Sequence, residues 1–501
     1  MAGLVTSSVA YWGSAAVAFA SSLIRSKFLA IHLGPAGIGL VSQLNMLSIL
    51  LGSISTLGLG NATIKLIAGA RAAGDDHQVR RLITFIITVP VLASLLLFIG
   101  GLGLSHMAAE VLLGSALWAG YVVVALSTVP LNLAAGGFQV VLQGFGRMSR
   151  LSVASVVATV LNTGVVIGLV VVFQLSGAVA GVLATSVIAF AVLIIRERWM
   201  LGHLTPRWYP GRAALGEMAR YGTASVALVI LGALTDTTLR AVTIATLGLT
   251  ASGIYQPVAL LSSQVFLQVQ TGIAMFLLPA LSRAVARGDD DAVRIQLDRA
   301  LRLAVIATVG IALTALATRQ VMIRLLFTKA FLPAAELISM QMIGELIRSC
   351  SYVVGGLLLP AGRVRAWLLI GAMTLAVQAG LGTALLPGLG LGALPLAFTV
   401  AWALNLLANG IALRDASLAM PRRPTVLLAI TGAMLLLPIA LATLTTRSIL
   451  LDVASGVAAA AWICFALARN ELGVLDILHK HVPALRRLTT RSEKSSQRGA
   501  V

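Results

Sequence analysis

The sequence predicts an all-α polytopic membrane protein: two pseudo-symmetric six-helix lobes followed by two C-terminal transmembrane helices, about fourteen spans. Three observations predict it. Of 501 residues, 58% are hydrophobic and 11% charged, with a mean hydropathy of +0.98; an ordinary soluble domain carries about 25% charged residues. The apolar stretches are continuous and of spanning length, not period-two alternations, which excludes a membrane β-barrel. The chain also repeats itself, in charged as well as apolar positions, at an offset of 214 residues.

The first six runs fall at roughly 5–32, 38–68, 82–104, 117–143, 151–174 and 177–195, inside an N-terminal lobe of residues 1–200. A cytoplasmic linker, 201–216, leads to a C-terminal lobe, 217–415. Its runs fall at 217–247, 252–282, 301–318, 335–360, 366–387 and 390–413. An extra helix pair occupies 424–468, and a basic tail runs from 469 to 501. Within that tail Leu472, Leu475, Leu478, Val482 and Leu485 recur at helical spacing among basic residues. They predict a short amphipathic helix lying on an anionic leaflet. The first run lacks a basic leader and continues to about Leu33, so it reads as an uncleaved span.

Orientation follows from the bases. With the N-terminus in the cytoplasm, 26 Lys and Arg side chains fall in inner connections and the tail. Only Arg319, Arg324, Lys329 and Arg447 fall outside. This is a strong positive-inside bias and places both termini in the cytoplasm. The same bias accounts for most of the net charge of +19, so no nucleic-acid partner is inferred. Two cysteines, Cys350 and Cys464, give neither a disulfide framework nor a metal pattern, and no cofactor or metal is expected.

The repeat is specific. Offset by 214, Leu33-Gly34 falls on Leu247-Gly248, Gly39 on Gly253 and Gly58 on Gly272. The run Gly74-Asp75-Asp76 falls on Gly288-Asp289-Asp290, and Val79-Arg80 on Val293-Arg294. Across residues 33–80 there are 13 identities in 48 positions without a gap. Gly146-Arg147 matches Gly362-Arg363 at an offset of 216. Each copy holds six spans, an even number, so the copies share an orientation. Parallel repeats around a central cavity are a transporter arrangement.

No phosphate-binding GxxxxGK[ST] loop, carboxylate pair or nucleophile elbow is present, which disfavours catalysis. The informative residues are charges inside spans, since each costs about 2.5–3.5 kcal/mol at mid-bilayer and usually faces a cavity. Arg25 and Lys27 in the first helix either snorkel to the interface or face the lumen. Lys65 reads as an interfacial anchor, as do Glu217 and Arg220. Asp236 and Arg240 share one face of the seventh helix, and Glu345 and Arg348 form an i,i+3 pair in the tenth. Arg240 aligns with Ser26, so basic charge enters one cavity from both halves. Gln43, Asn45, Gln264, Gln268 and Gln270 could bond sugar hydroxyls or, equally, neighbouring helices.

The runs LGPAGIGLVSQLNML and LGLGNATIKLIA resemble the first loop and second helix of bacterial O-antigen translocases. So does GIYQPVALLSSQVFLQVQTGIAMFLLPALSR in the second half, and LLFTKAFLPAAELISMQMIGELIRSCSY resembles the family's ninth-to-tenth helix region, including an acid and a base placed as Glu345 and Arg348 are. These are Wzx-type flippases, similar to the enterobacterial common antigen lipid III flippase, within the multidrug/oligosaccharidyl-lipid/polysaccharide exporter superfamily. The resemblance covers roughly residues 5–413 and leaves the extra helix pair outside the twelve-span form. It implies a bacterial inner-membrane flippase that is not an enzyme. Its substrate would be an undecaprenyl-diphosphate-linked oligosaccharide of the O-antigen or similar lipopolysaccharide type. Polysaccharide polymerase and chain-length machinery would be partners, besides the membrane lipids. Arg25, Lys27 and Arg240 would then contact the head group, while Asp236, Glu345 and Arg348 serve ion coupling or charge balance. One rival is a multidrug/cation antiporter, which would want a carboxylate in the first helix, where this chain has only bases. Another is a membrane-embedded glycan polymerase or ligase, which would want a large outer loop.

Overall fold

The computed structural model describes residues 2–56, 58–206, 209–414, 423–445 and 449–468. Among them all regular structure is helical. The helices are α1 (Ala2–Thr56), α2 (Leu59–Ala72), α3 (Asp76–Leu113), α4 (Ala119–Gly144), α5 (Met148–Arg196), α6 (Arg212–Ile254) and α7 (Gln256–Leu261). They continue as α8 (Leu267–Ala286), α9 (Asp290–Leu326), α10 (Ala334–Gly355), α11 (Val364–Leu389), α12 (Ala393–Arg414), α13 (Arg423–Thr445) and α14 (Ile449–Ala468). The basic tail and its expected amphipathic helix lie outside the described residues.

Length and hydropathy make the chain a multi-pass membrane protein. Among the described residues nine helices are long and apolar enough to cross a membrane. Some are far longer than the ~20 residues one crossing needs. Val17–Thr56 has 40 residues, Met148–Arg196 has 49 and Val364–Arg414 has 51. Each contains a residue at positive φ: Gly34, Gln174 and Gly390. These breaks fall where the hydropathy pattern predicts one span to end and the next to begin. α10 is absent from the nine because Glu345, Arg348 and the serines around them dilute it. Large apolar side chains stand exposed on these helices, among them Leu96 at 72%, Phe276 at 80% and Met434 at 71%. Such a surface suits lipid and not water.

The repeat is written in the backbone. Gly34 (φ 61, ψ −171) and Gly248 (φ 85, ψ 169) interrupt α1 and α6 at equivalent positions. Both conformations are essentially restricted to glycine, so the same residue is required twice. After Gly74 and Gly288, both at positive φ, Asp75 accepts from the Gln78 N–H and Asp289 from the Ala292 N–H, each at 2.9 Å. These are N-caps of α3 and α9, and they explain why that acidic motif occurs in both copies. One position departs from the symmetry. Gly58 is left-handed and separates α1 from α2, whereas its counterpart Gly272 stays inside α8. The second copy is interrupted instead by a π-helical turn at Ser262–Phe266.

Packing groups the described helices into two compact units. The first runs through Leu260 and adds Gln320–Leu337 and Val364–Ala401; the second holds Leu261–Arg319, Ile338–Arg363 and the described residues from Trp402 onward. This grouping joins α6 to the first repeat, and a close crossing shows why. A Cβ built on Gly39 would collide with the Leu249 carbonyl oxygen and lie 3.0 Å from the Gly253 nitrogen. One built on Gly253 would collide with the Pro35 carbonyl and lie 3.0 Å from the Gly39 nitrogen. Repeat-related residues thus make the same contact in both directions, as a local two-fold axis requires.

In the second unit α13 and α14 are pinned to α9 and α10 by polar contacts. Thr425 donates to Asp298, which also pairs with Arg302 at 3.0 Å. The Thr443 hydroxyl lies 2.9 Å from that of Ser339, and the Trp462 indole donates to the Ile306 carbonyl at 3.0 Å. Arg319, assigned to an outer connection by hydropathy, is instead a residue of α9. It is 2% exposed and pairs with Asp452 of α14 at 3.0 Å. The Lys65–Glu217 pair, at 2.7 Å, is by contrast exposed. Exposed pairs contribute little, so Lys65→Ala should change stability by less than about 1 kcal/mol in detergent thermal unfolding. The side chain of Arg220 lies outside the described residues.

Candidate functional site: a polar cavity at Arg25

A cavity of about 320 Å³ lies within the first unit. Its walls come from α1, α4 and α5, with Gln256 and Leu260 of α7 and Phe327 beyond α9. The lower half of α1 contributes Ser22, Arg25 and Ser26; the part beyond the Gly34 break contributes Ser42, Asn45 and Ser48. The break makes this possible, because it turns one helical run into two that face each other. Thr128 and Asn132 come from α4, and Thr185 and Ser186 from α5.

Arg25 is the single charged side chain among the lining residues. Among the described residues no carboxylate pairs with it. An unpaired cation held in a membrane segment is costly unless an anion joins it. Arg240 is buried (8% exposed) behind the wall and donates to Gln256 Oε1 at 3.0 Å. It therefore borders the cavity through Gln256, with the carboxylate of the exposed Asp236 near enough to act on it electrostatically.

Lys27 has a different place. Its ammonium donates to the carbonyls of Arg324, at 2.7 Å, and Phe327, at 2.5 Å. It caps the C-terminal end of α9, where a cation meets carbonyls that have no helical partner. Glu345 and Arg348 lie in the second unit. Glu345 is fully buried, pairs with Arg348 at 2.7 Å and accepts from the Ser262 hydroxyl at 2.5 Å. Arg348 also donates to the Ser262 carbonyl at 3.2 Å, a group on the π-helical turn. The polar stripes divide likewise. Asn45 lines the cavity, whereas Gln43 bonds the Thr237 carbonyl and Gln270 the Ser349 hydroxyl, both as helix-to-helix links.

The hydroxyls of the cavity wall have no distinguishing sequence pattern. Ser48 and Thr128 bond each other at 3.0 Å, and Thr185 donates to Asn162 at 2.7 Å. Nothing in the spacing of these residues sets them apart from ordinary serines and threonines in membrane helices.

Residues 28–336, more than half of the chain, match the family of polysaccharide biosynthesis proteins. The chain belongs to that family. This polysaccharide biosynthesis protein is also 24% identical, over 369 residues, to the lipid III flippase of Escherichia coli (strain K12). The match covers 71% of this chain and 85% of that one, and the lipid III flippase of Shigella flexneri gives the same figures. Among solved structures, the lipid II flippase MurJ in an inward closed conformation superposes with a TM-score of 0.68 at 10% identity. That match covers 94% of this chain and all of MurJ. An inward-facing multidrug resistance MATE family transporter of the MOP superfamily gives a TM-score of 0.60 at 15% identity, covering 80% and 95%. The fold is that of MOP-superfamily transporters.

Proposed function

We propose that this protein flips an undecaprenyl-diphosphate-linked oligosaccharide, the repeat unit of an O-antigen or similar surface polysaccharide, across the bacterial inner membrane. The movement runs from the cytoplasmic to the periplasmic leaflet by alternating access. We read the chain as fourteen crossings with both termini cytoplasmic, arranged as six-helix lobes at 1–200 and 217–415 with the α13–α14 pair appended. The observation that carries this is Arg25: an intramembrane cation, without an acidic partner among the described residues, in a cavity otherwise lined by neutral polar and apolar groups. A diphosphate cannot enter hydrocarbon uncompensated. A fixed guanidinium supplies counter-charge and two-pronged hydrogen bonds, and Arg240, behind Gln256, adds positive potential. The lipid tail stays in the bilayer. The similarity to the lipid III flippase supports reading the protein as a transporter and not an enzyme. The polymerase and chain-length machinery that use the product are its natural partners.

The similarity to MATE transporters raises a cation antiporter as the second reading. A cationic substrate would meet Arg25 and no lining carboxylate, which opposes it.

Export of the polysaccharide in a strain lacking the endogenous gene tests the reading. Arg25→Ala should lower export about ten- to a hundredfold, the loss of a hydrogen bond to a charged group, and Arg25→Lys should recover part of it. Asp236→Asn should be tolerated if Asp236 only balances charge, and should abolish export if it couples an ion. Full export by Arg25→Ala, in protein shown to reach the membrane, would remove the mechanism.

A further inference from the structure

Where α2, α4 and α5 meet their connections, the first unit carries a cluster that transport does not use. Arg71 stands in the last turn of α2, Phe145 directly follows α4 and Arg147 directly precedes α5. Trp199 lies in the short 3₁₀ turn Arg198–His203 beyond α5. The guanidinium carbon of Arg71 is 4.4 Å from the centre of the Phe145 ring. That of Arg147 is 5.6 Å from the same centre and 4.6 Å from the Trp199 ring. The two rings meet edge to face at 5.1 Å. Two cations therefore share one aromatic platform, and among the described residues neither has an acidic partner. Like charges so placed repel, while stacking at an exposed site returns only about 0.5–1 kcal/mol each. A bound anion would reverse that balance.

The platform is held from behind. Glu197 is buried, accepts the Trp199 indole N–H at 2.6 Å and lies 3.5 Å from Arg150 and 3.9 Å from Arg196. Arg71 also donates to the Phe145 carbonyl at 3.1 Å. A guanidinium lying flat on a ring keeps its N–H edge for a planar, two-pronged acceptor such as phosphate. Against the one charge of Glu197 stand Arg71, Arg147, Arg150, Arg196 and Arg198, so the cluster is net positive.

The second repeat shows that the fold does not require this arrangement. Arg147 corresponds to Arg363, which donates to the Ala412 carbonyl near the end of α12. Phe145 corresponds to Ala361 and Arg71 to Val285. In that copy the arginine is spent on a helix end; in the first it is stacked, with its edge uncommitted among the described residues. Met148, Ile195, Leu201 and Leu204, close in sequence to these bases, are exposed. Apolar surface thus runs up to the cluster, as it does where a lipid's acyl chains and head group are bound together. A zwitterionic lipid would bring a cation of its own to this positive cluster, whereas an anionic one would not.

We propose that the cluster binds the phosphate of an anionic phospholipid, gripped by Arg71 and Arg147 on the Phe145–Trp199 platform. The occupant is a resident lipid and not the cargo. It ties together the ends of α2, α4 and α5, and its place in the cytoplasmic leaflet rests on the proposed orientation.

The test measures binding to purified full-length protein in detergent by native mass spectrometry. The probes are phosphatidylglycerol, phosphatidylcholine, undecaprenyl phosphate and inorganic phosphate. Phosphatidylglycerol should bind at least about tenfold more tightly than phosphatidylcholine, the difference one hydrogen-bonded charge makes. Arg71→Gln and Arg147→Gln should each weaken phosphatidylglycerol about tenfold. Trp199→Leu should weaken it about two- to fivefold through loss of the stacking ring. Arg147→Lys should recover only part, because an ammonium lacks the flat face and the fork. Arg80→Gln and Arg212→Gln remove the same charge from exposed positions outside the cluster and should change binding less than twofold. An unchanged melting temperature in lipid-free detergent certifies each variant, and either Arg71→Gln or Arg147→Gln alone carries the test. Equal losses from all four arginine-to-glutamine variants would reduce the site to the diffuse attraction of basic loops and overturn it. Tighter binding of undecaprenyl phosphate than of phosphatidylglycerol would assign the cluster to the cargo, and displacement of the lipid by inorganic phosphate would assign it to a soluble anion. Each of these results overturns the resident lipid. Because no transport is measured, each leaves the flippase reading intact.

Discussion

Asp452→Ala should destabilise the protein by about 3–5 kcal/mol, the range found when one partner of a buried ion pair is removed. The reason lies on α9, not at the site of substitution. Arg319 is 2% exposed and bonds Asp452 at 3.0 Å, with the Ser339 hydroxyl 3.5 Å away. Without the carboxylate, the buried guanidinium loses the ion pair that ties α9 to α14. The protein must then rearrange at the expense of the α9–α14 packing, or hydrate the group. The double variant Arg319→Met, Asp452→Leu should recover most of the loss, because two apolar side chains of similar size leave no charge behind. Thermal unfolding of all three variants in detergent measures the coupling. If the double variant were no more stable than Asp452→Ala alone, the ion pair would not be what holds α14 in place. The prediction also separates two roles for the extra helices. A pair held only by lipid would tolerate Asp452→Ala without consequence, whereas a pair built into the second unit unfolds with it.

Much of this architecture was legible in the sequence, and the reason is the membrane. A span must be apolar over about 20 residues, so hydropathy places helices and their ends. The repeat was legible because its key positions are glycines and capping aspartates, whose backbone roles admit few substitutes. Gly34 with Gly248 and Asp75 with Asp289 are the cases in point. Side-chain partners were not legible. Arg25 and Lys27 are two residues apart and look alike in sequence. In the fold one faces a cavity and the other reaches the end of α9, some 300 residues on. Arg319 lies close enough to the end of its apolar run to pass for a loop residue; in the fold it is buried and pairs with Asp452, which is more than a hundred residues away in sequence. The cavity hydroxyls escaped notice because serine and threonine satisfy themselves on their own helices almost anywhere in a membrane.

Gly39→Leu and Gly253→Leu should each abolish export while the protein still reaches the membrane. The two glycines were aligned by sequence as repeat partners; in the fold they meet. At this crossing the segments Pro35–Gly39 and Leu249–Gly253 approach so closely that a Cβ on either glycine meets the backbone of the other segment. Backbone cannot move aside as the end of a flexible side chain can, so even alanine is excluded from the closed crossing. With the N-terminus in the cytoplasm, as proposed, both glycines lie just past the outer turns at Gly34 and Gly248, on the periplasmic side of the cavity. On the proposed alternating-access reading, the crossing is the outer seal of the cavity, and rocking of the proposed lobes opens and re-forms it in every cycle. A leucine on either side prevents its formation and shifts the population toward the outward-open state, by far more than a few kcal/mol would require. The measurement is periplasmic accessibility. With Cys350 and Cys464 replaced by serine, Asn45→Cys should label slowly with a membrane-impermeant thiol reagent in the otherwise native background. In the Gly39→Leu or Gly253→Leu background it should label many times faster. Because the contact is reciprocal, the two substitutions should give the same labelling rate, and the double substitution should add nothing. Fast labelling from one glycine variant and native behaviour from the other would show that the crossing is not a symmetric seal. Native labelling together with native export in both would mean that the crossing opens without having to close again, and that the cavity is sealed elsewhere.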